Sequence, residues 1–473
     1  MSRSGIVCTV GPATCNADAL QAMRQAGMTM ARLNGSHSDL EWHAEAIALL
    51  RQVVPDVPIL LDIPGRKIRT NALAVEPTFE AGDQIILTTD PSHDGSAQVP
   101  VNYANLHEDL SVGNVIMADD GTLRFTVQEV RGQSIVCRAD CAGQLKSRKG
   151  INVPFVKLRT AMVTDRDRKM VDFAKRHQVD YIGISFVESG EHVDRIRALV
   201  DGSWPRIVSK VENQGGLDNL ESVIAATDAV MIDRGDLSVE TRLETIALDQ
   251  KRVIDAAREH GKPVIVATEM LHTMIDNPFP TKAEVSDITN AVLDGCAATM
   301  LSGETAIGAH YLKAVETMRS VADRASDYLW QSGKRPRGEP RSVPQAMEDA
   351  VALICRDLPI TKIVAVTISG YAARMISARR PHQQILAVSN DPMTARAMNL
   401  YYGTTGYYLD IPFSKTSTDH VAHCLKFLWQ QGALVDEDLI LVTSVGYPRS
   451  GNRMNLIQTH AVADLAATLG WTR

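Results

Sequence analysis

Eight short apolar runs, rich in β-branched residues and each closed by glycine or a polar cluster, dominate the first two thirds of the chain. They are Gly5–Val10, Met28–Asn34, Ile59–Ile63, Tyr181–Phe186, Ile207–Glu212, Ala229–Gly235, Pro263–Glu269 and Ala297–Gly303. A continuous apolar run of this length is what a strand buried on both faces requires, and that burial is typical of parallel sheets. Between the runs lie stretches with apolar residues at helical spacing, such as Asp18–Ala26, Leu40–Val53, Arg166–His177, Leu248–Glu259 and Lys282–Leu293. Eight strands alternating with helices predict a closed (β/α)8 barrel of the TIM type.

The third and fourth runs are separated by about 80 residues of different character, 71–150, where Gly and Asp turns punctuate short alternating strands such as Ile85–Thr89, Leu123–Val130 and Ser134–Ala139. This reads as a small all-β lid domain inserted into the barrel. What remains, 1–70 and 151–330, comes to about 250 residues, the usual size of such a barrel. Residues 331–344, rich in Gly, Pro, Lys and Arg, read as a linker. Beyond it, Lys362–Thr367, Ile385–Val388 and Leu439–Val442 alternate with helical segments, so 345–473 is expected to form an open-sheet α/β domain.

Composition removes several classes of function. With 49 Lys and Arg against 56 Asp and Glu the net charge is −7, which argues against a nucleic-acid partner bound through a basic face. No run is long and apolar enough for a membrane span, and MSRSGIVCTVGP offers no signal-peptide core, so no membrane association and a cytoplasmic location are expected. Seven cysteines without a CxxC pair suggest free thiols; Cys137 and Cys141 lack further ligands at zinc spacing and read as strand packing.

In a barrel of this kind the reacting groups come from the C-terminal ends of the strands. Here those ends are polar: Arg32-Leu33-Asn34-Gly35-Ser36, Asp62, Ser185, Lys210-Val211-Glu212, Asp233-Arg234-Gly235-Asp236, Thr268-Glu269 and Ser302-Gly303-Glu304. Strand ends are often wet and therefore polar, but seven of eight converging on one mouth point to a site. Lys210 and Glu212, two apart on a strand, share a face, and Glu212 with Asp236 supplies two carboxylates at adjacent strand ends. That pair suits Mg2+, leaving Lys210 to stabilise charge on a transferring phosphoryl group; the competing reading is a structural Lys210–Glu212 ion pair. Gly235 and Asp236 open the next helix, where an anion is favoured. Arg32, Arg66, Lys67, Arg69 and Lys149 lie at barrel rims or lid hinges and could clamp nucleotide phosphates, or be solvated surface charge. In the C-terminal part, Thr367-Ile368-Ser369-Gly370 joins a strand to a helix, a turn able to cradle an effector phosphate or simply to cap the helix.

At these residues the chain resembles the pyruvate kinase family. The strings TVGPAT (9–14), GMTMARLNGSH (27–37), KGINVP (149–154), ISF (184–186), SKVENQGGLDN (209–219), VMIDRGDLSVE (230–240), KPVIVATEML (262–271), NPFPTKAEVSDITNAVLDG (277–295) and MLSGETAIG (300–308) occur in the family's order over nearly the whole chain. The resemblance implies phosphoryl transfer from phosphoenolpyruvate to ADP, giving pyruvate and ATP in glycolysis. Glu212 and Asp236 would hold Mg2+, for which Mn2+ can substitute. Lys210 would stabilise the phosphoryl group, Arg32 would contact the phosphate, and Gly235, Asp236 and Thr268 would hold the carboxylate and enolate end. Asn34, Arg69 and Lys149 would face the nucleotide, with Asp119 and Asp120 brought near it by lid closure. Thr268, Ser302 and water are all candidates for the enolate's proton donor. A homotetramer and a phosphorylated allosteric effector near Thr367, Ser369 and Gly370 are also implied, with helices around 281–295 and in the C-terminal domain as interfaces.

The chain departs from the family pattern at Pro64, Arg66, Lys67, Asp233 and Glu269. Lys67 stands where potassium-dependent members carry Glu, while Asn34, Ser36, Asp62 and Ile63 retain the surroundings of a monovalent cation; an ammonium there implies activity without K+. Asp233 replaces the usual Ala, and Glu269 the usual Gln. Two extra acids beside an anionic substrate leave open a paralogue acting on a related enol or hydroxy-acid phosphate. A decayed, ligand-sensing homologue is the alternative without catalysis.

Overall fold

The computed structural model describes residues 3–119, 121–332, 343–414, 417–444 and 454–472. Eight parallel strands close a barrel in which Gly5–Thr9 lies between Met30–Asn34 and Ala298–Leu301. The remaining strands are Ile59–Ile63, Tyr181–Ile184, Arg206–Val211, Ala229–Asp233 and Val264–Ala267, each beside its neighbour in sequence. All eight expected runs are present: Ile59–Ile63 keeps its bounds, the fifth shifts one residue earlier, and the others lose one to three residues.

The helices around the barrel form for local reasons. Asp39 caps Leu40–Val53 by accepting the Trp42 N–H at 2.9 Å, and that helix buries His43, Ala46, Ile47 and Leu50 at helical spacing. Thr281 and Glu284 form a reciprocal capping box on Lys282–Asp294, and Gly295, at φ 111°, ends it. A side-chain cap of this kind contributes about 1 kcal/mol.

Strand alternation sorts the barrel residues into two sets. Ile6, Cys8, Ala31, Leu33, Leu61, Ile182, Ile207 and Ile232 pack outward against the helices. Val7, Met30, Leu60, Tyr181, Val208, Met231, Ile265 and Met300 fill the interior, and their cluster runs on into the C-terminal domain. Continuing the inner series toward the C-terminal ends at a period of two leads to Thr9, Arg32, Asp62, Ser185, Lys210, Asp233 and Ser302. The mouth is therefore lined by the polar ends of rows that are apolar below.

Between the third and fourth strands the chain builds a seven-stranded sheet around Leu87, Ile116, Phe125, Ile135 and Cys137. It joins the barrel by a neck in which Ile68–Arg69 pairs with Gly150–Asn152. The lid rests on the barrel mouth: Asn152 Nδ2 donates to Glu240 Oε1 at 2.6 Å, and Lys67 pairs with Asp236.

The C-terminal sheet has the order Thr404–Tyr408, Gln384–Ser389, Lys362–Val366, Leu439–Ser444, Leu456–Ala461, with only the last strand antiparallel. It docks under the strand starts of the barrel. There the Tyr181 hydroxyl donates to the Ala397 carbonyl at 2.8 Å, and Arg396 pairs with Asp180 at 3.1 Å. Most of the linker expected at 331–344 lies outside the described residues. Among the described residues no helix is long and apolar enough to cross a membrane, and all seven cysteines are free.

Candidate active site

The inner rows deliver one charged network to the barrel mouth. Lys210 Nζ, almost fully buried, lies 2.9 Å from Asp233 Oδ2, 3.0 Å from Glu212 Oε2 and 3.8 Å from Asp62 Oδ2, and donates to Ser185 Oγ at 3.3 Å. Arg32 chelates Asp62 Oδ2 through Nε at 2.9 Å and Nη2 at 2.8 Å, and reaches Thr9 Oγ1 at 3.1 Å. Lys67 closes the far side, its Nζ 2.6 Å from Asp236 Oδ1 and 5.6 Å from the Phe186 ring centroid.

Charge balance explains how these groups titrate. Burial opposes the Lys210 ammonium, but Glu212, Asp233 and Asp62 override it and hold it well above its ordinary value. Burial also pushes Asp233 up, yet Lys210, with Arg32 and Lys67, brings it below the usual carboxylate range. Glu212 goes the other way. Fully buried and facing Asp233 and Asp236, it is raised despite Lys210 and the Phe186 N–H, which it accepts at 2.6 Å. Four carboxylates face three cations, and burial leaves Glu212 the acid held above the usual carboxylate range.

The same set fits a divalent cation. Glu212, Asp233 and Asp236 each offer an oxygen within 4.8 Å of the others, and Glu212 Oε2 is buried with the Lys210 ammonium 3.0 Å away. Oxygen donors of net negative charge are the chemistry a Mg2+ site uses.

The remaining expected residues distribute unevenly. Thr268 Oγ1 accepts the Gly235 N–H at 2.8 Å and donates to the Ala267 carbonyl at 2.6 Å. Thr268 and Glu269 both adopt positive φ, 68° and 55°, and this turns Glu269 out to solvent, so only one of the two unexpected acids faces the site. Ser302 stands at the eighth strand end, its hydroxyl buried and without a partner. Lys149 pairs with Asp119 at 2.7 Å, and Arg69 donates to the Arg148 carbonyl at 3.1 Å, both at the lid neck; Asp120 lies outside the described residues. Arg66 is taken up by Glu188 at 2.6 Å and Thr160 at 2.8 Å.

Three of the oxygens named as a monovalent-cation site are engaged elsewhere, while Asp62 Oδ1 is buried without a hydrogen-bond partner. Asn34 Oδ1 accepts the Ser36 N–H at 3.1 Å, the Ile63 carbonyl accepts the Ser185 hydroxyl at 2.9 Å, and Asp62 Oδ2 holds Arg32. Lys67 was expected among them but sits on Asp236, which the lid neck brings within its reach. Sequence reading also missed the Asn152–Glu240 contact, which joins lid to barrel. Asp233 was seen as an unexplained acid, and counting by two from the interior Met231 would have turned it inward.

Comparison with known proteins agrees with this geometry. The family model described as pyruvate kinase, barrel domain, matches residues 1–315, and the pyruvate kinase alpha/beta domain matches 345–460. The chain belongs to the pyruvate kinase family. It is 36% identical to a pyruvate kinase of Bacillus licheniformis over 99% of this chain and 82% of that relative. It is 34% identical to one of Clostridium perfringens over 95% and 97%. A crystal structure of a pyruvate kinase from Cryptosporidium parvum superposes with a TM-score of 0.87 at 31% identity, covering 98% of this chain and 96% of the other. Membership makes the chain a phosphotransferase, and the pyruvate kinase barrel here carries its polar mouth where that chemistry needs it.

Proposed function

We propose that the chain transfers the phosphoryl group of phosphoenolpyruvate to ADP, giving pyruvate and ATP, in a Mg2+-dependent reaction that needs no K+. The observation that carries this is the convergence of Arg32, Lys210, Glu212 and Asp236 on one mouth, with Thr268 beside them. Glu212 and Asp236, with Asp233 in the same cluster, would hold Mg2+ or Mn2+, which would neutralise charge on phosphoryl oxygens. Arg32 exchanges its bidentate hold on Asp62 for the substrate phosphate. Lys210, kept ionised by its carboxylates, faces the charge that develops on the phosphoryl group in flight.

Thr268 fixes the Gly235 N–H at the carboxylate end of the substrate. Its own proton is committed to Ala267, whereas the Ser302 hydroxyl is uncommitted, which favours Ser302 for delivering a proton to the enolate. Lys149 releases Asp119 to take a nucleotide phosphate, with Arg69 and Asn34 alongside, and the seated lid excludes water that would hydrolyse the phosphoryl group. The engaged oxygens of Asn34 and Ile63, together with the Lys67 ammonium, support K+ independence. A glycolytic role in the cytoplasm and a homotetramer go with this reading; Phe279, 72% exposed just before the helix Lys282–Asp294, supports an interface there.

The test is ATP formation from phosphoenolpyruvate and ADP in a coupled assay. Robust turnover is expected. Binding of Mg2+-nucleotide without turnover would point to a paralogue with another phosphorylated substrate, and failure to bind Mg2+-nucleotide to a decayed sensor.

A further inference from the structure

The short helix Arg234–Glu240 is gripped by the lid at both of its ends. Its first turn brings Gly235 and Asp236 to the barrel mouth, and its last turn carries Val239 and Glu240. Asp236 and Glu240 are four residues apart and so share a helix face. Two side chains of the lid neck meet that face: Lys67 Nζ lies 2.6 Å from Asp236 Oδ1, and Asn152 Nδ2 donates to Glu240 Oε1 at 2.6 Å.

The register of the neck produces this pairing. Ile68 lies opposite Ile151 and Arg69 opposite Gly150 in an antiparallel pair, so Lys67 and Asn152 come opposite each other at its barrel end and point to one side. Gly150 leaves room on that side for the lysine stem, since an added Cβ would lie 2.9 Å from Lys67 Cε. A lid loop closes on the same helix: Gly121, at φ 84°, approaches Val239 so closely that an added Cβ would lie 3.0 Å from Val239 Cγ2. Val239 is buried there.

The two polar contacts cannot serve in the same state of the site. A divalent cation on Asp236 takes over the negative charge that holds Lys67, so the ionic contact is weakest when the site is loaded. That is the state in which water must be kept from the phosphoryl group. Glu240 lies one turn further on, outside the cluster of Glu212, Asp233 and Asp236, so its bond to Asn152 survives the arrival of the metal. Asn152 is 2% exposed, and its Oδ1 is buried with no hydrogen-bond partner. An apolar side chain would pack there without that orphaned acceptor, so it is the Nδ2 bond to Glu240 that accounts for an amide at this position. We infer that Asn152 and Glu240 are positioning residues that keep the lid seated once a divalent metal has drawn Asp236 away from Lys67. The inference rests on the reading of Asp236 as a metal ligand. Lys67 and Asp236 hold the lid on the empty site, Asn152 and Glu240 on the loaded one, and the lid passes from one contact to the other without lifting.

Hydrogen–deuterium exchange of the full chain with Mn2+ and ADP tests this without requiring turnover, read on the peptides that cover Gly121–Leu123 and Arg234–Thr241. Asn152→Ala and Glu240→Ala each speed exchange there at least fivefold, and the double variant adds less than twofold to either. Glu240→Gln, which still accepts from Asn152, changes it less than twofold. In metal-free buffer all of these variants stay within twofold of the unaltered protein, because Lys67 then holds the lid. Calorimetric affinity for Mn2+ also moves less than twofold, while in the coupled assay kcat of the two Ala variants falls at least tenfold and KM for phosphoenolpyruvate changes less than threefold. Unchanged exchange in the metal-loaded Ala variants overturns the inference, as does equally fast exchange without metal. A loss of Mn2+ affinity matching the loss of kcat also overturns it, since Glu240 would then be a prop for Asp236. Should Asn152→Ala unfold, Asn152→Leu fills the same space and is held to the same outcomes. An unaltered protein that binds Mn2+ and ADP without turnover refutes the proposed reaction alone and leaves the exchange to decide this inference; one that binds no Mn2+ overturns both.

Discussion

Replacing Lys67 by Glu tests the electrostatic design of the mouth most directly. In the unaltered chain the ammonium lies 2.6 Å from Asp236 Oδ1, and both side chains are about 15% exposed. At that separation and an effective dielectric of about 20 the pair is worth about 6 kcal/mol before desolvation is subtracted. Breaking a largely buried pair by removing one partner costs about 3–5 kcal/mol. Lys67→Glu also places a carboxylate against Asp236, so the lower figure is a floor. If it falls on transition-state stabilisation, 3 kcal/mol is a loss of roughly 150-fold in kcat/KM. A bound K+ can restore much of that by returning a positive charge. The assay is ATP formation with tetramethylammonium as the only monovalent cation, followed by titration with K+. The unaltered protein is expected to give a flat response, and Lys67→Glu to start low and climb. A K+ requirement in the unaltered protein, or full activity of Lys67→Glu without K+, refutes the reasoning.

Further outcomes follow from the same network. Lys210→Met should lower kcat on the order of 10²–10³-fold, as loss of one oriented positive group does, and should lower Tm because it leaves Asp233 and Glu212 facing each other. Divalent-cation affinity, followed by calorimetry, should rise with pH up to about 8, where Glu212 gives up its proton, and then level; Asp233→Asn removes a charge that raises Glu212 and should move that rise to lower pH. Glu240, raised to about 7 chiefly by burial, binds its proton more tightly folded than unfolded, so its contribution favours the fold at low pH and is lost as pH climbs from the usual carboxylate range to about 7. Glu240→Gln should therefore gain in Tm relative to the unaltered protein at pH 8 and not at pH 4, by differential scanning calorimetry.

The barrel was legible because a parallel strand covered on both faces must be apolar throughout, and eight such runs survive the inserted lid. The edge strands of the C-terminal sheet were not. Thr404–Tyr408 reads TTGYY, and its Gly406 is needed because an added Cβ would lie 1.8 Å from the Ala395 carbonyl, a constraint invisible in one dimension. Leu456–Ala461, LIQTHA, is half polar because, among the described residues, its outer edge pairs with no further strand. The mouth divides the same way. Arg32, Lys210 and Glu212 follow from strand phase, and Asp233 would have done so. Glu269 escapes that phase because two consecutive residues of positive φ interrupt it. The partners of Lys67 and Asn152 depend on how the lid seats, and no local pattern encodes that.

The inserted lid also sets the order in which the barrel can assemble. Ile59–Ile63 must pair with Tyr181–Ile184 across an intervening chain roughly five times longer than the one joining the second and third strands. Closing the longer loop costs about 1.4 kcal/mol more in chain entropy if the intervening segment is unfolded. A lid that has already formed its own sheet brings its two ends together at the Ile68–Arg69 and Gly150–Asn152 neck and removes most of that cost. If the lid folds first, substitutions in its core should slow refolding of the whole chain more than they lower its final stability.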